Sequence, residues 1–143
     1  MTTQTVFTVS HEIDRERVCS LLCSAFEGGS NYWYLIDKAI YPKGTTKSDF
    51  GEGGKCQNGK MYWHWSQLVP TEEGGALLIS SVDKDEISGK TEWRLDIDAI
   101  REGLRVMAKK YPVHFARIID ENDDGGTGDV FLQCCLFGEL VFG

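Results

Sequence analysis

The chain has no apolar run approaching the ~20 residues that cross a bilayer. Its first ten residues also lack the basic start and apolar stretch of a secretory leader. These absences predict a cytoplasmic protein with no membrane partner. Basic residues are the minority, 15 Lys and Arg against 22 Asp and Glu, for a formal net charge of −7 and a pI of about 4.9. Direct binding to nucleic acid is not expected from that balance, because sequence-independent contact with phosphate needs a basic face. Cysteine is present in an odd number, 5. Cys19, Cys23, Cys134 and Cys135 sit in apolar settings that suit reduced core thiols better than a secreted disulfide framework. There is no C-x2-C knuckle, so no metal is assigned. Catalytic signatures are missing too: no G-x-S-x-G elbow, no P-loop, no H-E-x-x-H. The expectation leans away from an enzyme, with no catalytic residue and no cofactor.

What is present is an ordinary globular composition, 41% AVILMFWYC and 26% charged. At 143 residues it suits one domain, 1–143, around a single core. Thr3 to Val9 alternates and is β-branched, which predicts a strand, and Ser10 is placed to cap a helix with Val18, Leu21, Leu22, Ala25 and Phe26 on one stripe. Gly28 and Gly29 end that helix, and Asn31 to Ile40 returns to strand chemistry. Residues 42–60 form a long Gly/Lys-rich loop carrying Lys43, Lys47, Lys55 and Lys60, a length usually functional or mobile. Strands are predicted at Met61 to Val69, Ala76 to Val82 and Thr91 to Leu95. The period then changes to 3.6 after Asp96, a good N-cap, with Ile97, Ile100, Leu104 and Met107 on one face. Pro112 opens a second helix, through Asn122, and Thr127 is placed to cap a third, apolar on nearly all sides. The order predicts an α+β fold, an antiparallel sheet of about four to five strands with helices packed largely on one face.

Two constellations carry candidate chemistry. Residues 120–129 hold Asp120, Glu121, Asp123, Asp124 and Asp129 with no base. Asp120 to Gly125 matches the opening of a calcium loop, but its twelfth position is Phe131 rather than the bidentate Glu the cage needs. These five acids are therefore read as a charged contact set for a partner, against the plainer alternative of a solvated loop. The second constellation is aromatic: Tyr32, Trp33 and Tyr34 on one strand, and Tyr62, Trp63, His64 and Trp65 on another. Core packing explains most such rows. The alternative is a ligand site in which Tyr32, Trp33, Tyr34, Trp63, His64 and Trp65 stack a base while Lys43, Lys47, Lys55 and Lys60 neutralise phosphate.

Leu21 to Tyr34, LLCSAFEGGSNYWY, and Lys109 to Gly143, with KKYPVHF, an acidic turn and TGDVFLQCCLFGELVFG, resemble a group of uncharacterised small proteins encoded by tailed phages and prophages. The resemblance covers about a third of the chain. It implies a genomic context, and through it an accessory protein of the host cytoplasm that acts by binding. The expected partner is a host protein with a basic surface, a defence complex to be inhibited. A sequestered nucleotide or other small molecule is the alternative. The apolar stretch Asp129 to Gly143 is expected to be a buried helix with a closing strand or turn at Leu140 to Phe142, the alternative being a surface that pairs with a second copy in a homodimer.

Overall fold

A computed structural model describes residues 3–55 and 61–143. Its first helix, α1, spans Arg15–Ser24 and is capped by Asp14, whose carboxylate accepts the Arg17 N–H at 2.8 Å. The cap therefore lies four residues beyond the expected Ser10. Val18, Cys19, Leu21 and Leu22 are buried as the stripe requires, and the helix runs into a π-helical turn, Ala25–Gly29. Thr3 to Val9 is not a strand. Residues 3–10 have no regular structure and, among the described residues, no backbone hydrogen bond. Strand propensity describes fit to a pleated, half-buried surface, and among the described residues this segment has no such neighbour.

Five strands are described: β1 (Tyr34–Ile40), β2 (Glu52–Lys55), β3 (Met61–His64), β4 (Ala76–Ser81) and β5 (Glu92–Leu95). They do not form one sheet. The main antiparallel sheet is three-stranded, in the order β1-β4-β5, and β2 and β3 make a separate two-stranded ribbon, so the expected four to five strands overstate it. The run Met61 to Val69 is cut short because His64 caps a helical turn, α2 (Trp65–Leu68). Its ring accepts the Ser66 N–H, and its own N–H donates to Gln67 Oε1 at 2.7 Å. In the main sheet Ile79 pairs with Ile36 and Trp93, and Leu77 with Ala39 and Leu95, all toward the core. The other face carries Asp37, Glu92 and Arg94 toward water, with the buried Ser80 donating its hydroxyl to Asp37, and a register shift between Ile36 and Lys38 marks a β-bulge.

Three more helices follow, of which α3 and α5 pack on β5 and α4 packs on those two helices. α3 (Ile97–Lys110) starts at Asp96, which accepts the Ala99 N–H as expected. α4 (Pro112–Ile119) opens on its proline. α5 (Gly125–Phe137) is the central element, packed against α1, the π-helical turn, α3, α4 and β5. Its cap is Asp124, which accepts the Thr127 N–H at 3.0 Å, so Thr127 lies inside the first turn rather than before it. Two glycines set how closely α5 packs. A Cβ at Gly128 would lie 2.8 Å from Ala25 N, and one at Gly103 of α3 would lie 2.3 Å from Cys135 Sγ. After Gly138 the chain forms no strand, and Gln133 holds the tail by accepting from the N–H of Val141 and of Phe142 and donating to Phe142 O.

Candidate functional site

The five acids of the 120–129 stretch separate into three roles. Asp129 is 9% exposed, one turn into α5, and accepts from Ser30 Oγ (2.8 Å), Trp33 Nε1 (2.8 Å) and Tyr32 OH (2.7 Å). It ties α5 to the turn before β1 and is closed to a partner. Asp123 pairs with Arg17 of α1, and the same guanidinium donates to Ile118 O at 3.2 Å, so this acid fastens the α4–α5 turn to α1. Asp120, Glu121 and Asp124 are exposed, Asp124 being also the cap of α5. Only these three of the contact set face water.

The aromatic rows are also divided. Trp33 is 2% exposed, stacked with Phe142 and packed against Phe137, and is unavailable to a ligand. Tyr34 is half-buried, its hydroxyl donating to Phe26 O, and Tyr32 is exposed with its hydroxyl on Asp129. Burial, with the Asp129 carboxylate adding to it, pushes the Tyr32 phenol up to about 12. Trp65 lies beneath the Lys47 ammonium, 5.1 Å from the ring centre, and His64 is spent on capping α2. Lys43 is exposed. Lys60, and the side chains of Lys55 and Tyr62, lie outside the described residues. The four described cysteines are poor nucleophiles: burial raises the thiols of Cys19 and Cys135, and pushes those of Cys23 and Cys134 up to about 11.

Trp63 alone of the predicted aromatics lines an open groove. The groove, about 970 Å³, runs between residues 11–14, the first turns of α1, the end of α4 and Glu121. Its apolar wall is Ile13, Ile119 and Trp63, Ile118 beside them being buried in the core, and Glu12, Asp14, Glu16 and Glu121 stand around it, all four exposed. The opposing charge is Arg17, already bonded to Asp123 and Ile118 O, while His11 lies edge-on to Phe115. An apolar wall ringed by carboxylates suits a lysine or arginine side chain, whose stem needs apolar cover and whose head needs a counter-charge. The Trp63 ring adds a face for the cation.

Sequence reasoning missed Glu12 and Glu16 as site residues. A place near a helix start accounts for Glu12 as a dipole partner, and nothing local signals that Glu16, or Glu121 more than a hundred residues on, completes the rim. Comparison with protein-family models, curated proteins and solved structures finds no match to this chain. Among the described residues no helix is long and apolar enough to cross a membrane.

Proposed function

We propose that this protein acts by binding, as an accessory protein of a tailed phage or prophage that docks on the basic surface of a host protein, a defence complex, and blocks it. The observation that carries the reading is the groove, which gathers four exposed carboxylates around Trp63, Ile13 and Ile119 while the neighbouring Arg17 is neutralised internally. Glu12, Glu16 and Glu121 take the contacts, with Asp120 and Asp124 on the adjoining turn. The net charge of −7 steers the encounter toward a basic target.

The test is fluorescence anisotropy with a labelled arginine- and lysine-rich peptide as probe, at low and high salt. The expected result is binding that weakens with salt and is lost in a Glu12→Gln, Glu16→Gln, Glu121→Gln variant whose melting temperature is unchanged. Unaltered binding by that folded variant overturns the groove as the contact surface, and absence of binding by the natural chain overturns its proposed chemistry.

A further inference from the structure

We propose that residues 3–10 form a strand that extends the main sheet of a second copy of this chain, pairing along the free edge of β5. The segment, TQTVFTVS, has no charge, glycine or proline and is built almost wholly from residues that favour strands. Among the described residues its backbone makes no hydrogen bond, and Val6, Phe7 and Val9 are 78%, 89% and 84% exposed. An uncharged, alternating segment left open in this way is a strand without a ladder.

The same chain carries an edge that fits it. β5 closes one side of the main sheet and, among the described residues, pairs only with β4. Along β5 burial alternates, with Trp93 and Leu95 inward and Glu92 and Arg94 in water. A strand laid beside it continues both faces: Thr5, Phe7 and Val9 extend the Trp93 and Leu95 side, and Gln4, Val6 and Thr8 the other. Glu92 and Arg94 are of opposite sign, so an uncharged strand meets no net repulsion there. The opposite edge, β1, is broken by the bulge at Asp37 and carries Lys38 beside it, both of which oppose strand addition.

The geometry points to a second copy rather than to the same one. The segment leaves the fold at His11, against Phe115 of α4, and at Ile13 and Asp14, at the start of α1. β5 instead lies against β4, α3 and α5. Two chains of net charge −7 repel over most of their surfaces, and an uncharged segment is where they approach at least cost. Reciprocal exchange gives a closed pair with the same contact made twice. The C-terminal tail, the other apolar segment considered as a contact between copies, is held on its own chain by Gln133.

Sedimentation over a range of concentrations tests this directly, with amide hydrogen exchange as the second measurement. The natural chain is expected to form a dimer in which the amides of residues 92–95 exchange about tenfold more slowly than in the monomer. Phe7→Lys, and separately a chain lacking residues 2–10, should be monomeric, with unchanged far-ultraviolet circular dichroism and fast exchange at 92–95. A natural chain that stays monomeric, or a dimer that survives loss of residues 2–10, overturns the proposal. So does a dimer that needs the segment but leaves exchange at 92–95 unchanged.

Discussion

The ring of Phe142 lies flat on that of Trp33, 4.8 Å between centres and 9° from parallel, although the two residues stand at opposite ends of the fold's chain order. Gln133 makes this contact possible. Fully buried in α5, it bonds three backbone groups of residues 141 and 142 and so lays the tail over the indole. Gln133→Ala should cost about 1–3 kcal/mol, the usual penalty for leaving such partners unpaired. Trp33 should then gain water, so a red-shifted tryptophan emission and earlier proteolysis of residues 139–143 are expected at temperatures where the fold persists. A variant with natural emission and natural stability would show that the stacking holds the tail without Gln133.

Asp129 makes three charge-assisted bonds in a buried setting. Asp129→Ala strands donors on Ser30, Tyr32 and Trp33 and should cost about 3–5 kcal/mol, as loss of a buried charged partner does. Asp129→Asn is the milder probe. With the carboxylate charge gone, the Tyr32 phenol should fall from about 12 toward the ordinary value of 10.0, stopping short because burial remains its first cause. Ultraviolet titration of the two chains, differenced, reads this. The sign for stability follows: a phenol raised in the fold contributes fully below the unfolded value of 10.0 and loses that contribution as pH climbs through about 12. The alkaline limb of the stability curve should therefore flatten in Asp129→Asn.

Gly103 sits where α3 crosses α5. An alanine there gains about 1 kcal/mol of helix propensity. Its Cβ would also stand 2.8 Å from the Cys135 Cα and backbone N, atoms that no rotamer change can move. Overpacking of this kind costs about 1–3 kcal/mol or more, so Gly103→Ala should lower the urea midpoint despite its better propensity. A raised midpoint would mean that the two helices separate freely.

Arg17→Met removes the guanidinium that joins α1 to Ile118 O and Asp123. The side chain is 20% exposed and that of Asp123 is 5%, which places the pair largely out of solvent. A loss of about 2–4 kcal/mol is expected, since Asp123 is left buried without its counter-charge. Hydrogen exchange should quicken first at residues 119–123. Uniform quickening across the fold would assign Arg17 a global role instead.

These residues also show what could be read from the chain beforehand. The helices around Asp96, Ile100 and Met107 and around Phe131 and Cys134 were legible because caps and 3.6 periodicity are local signals. Asp129 was not: with Thr127 as the cap it stands in the exposed first turn, and moving the cap of α5 to Asp124 carries it into the second turn, where it faces Trp33. Two residues three apart that both cap well leave that choice to tertiary packing. Likewise His64 is no favoured cap, so the turn that ends β3 had no composition cue. The groove lay beyond reach for a different reason. It joins residues near 12, 63 and 120, which come to one surface through the packing of α1 on both α5 and α2.

Asp124 supplies the last prediction, at acid pH. The Thr127 N–H, ahead of the Arg117 charge, holds its carboxyl below the ordinary 3.8. A carboxyl depressed in the fold contributes stability above the unfolded value and loses it as pH falls through the folded one. Asn caps a helix about as well as Asp but does not titrate. Asp124→Asn should therefore melt below the natural chain near neutral pH, where the ionised cap also favours the helix dipole, and the gap should close below about pH 4. Melting curves of the two chains at about pH 7, 5 and 3 measure it. A gap that is the same at all three values would show that the cap acts through its hydrogen bond alone, and that the acid limb of this fold belongs to other carboxylates.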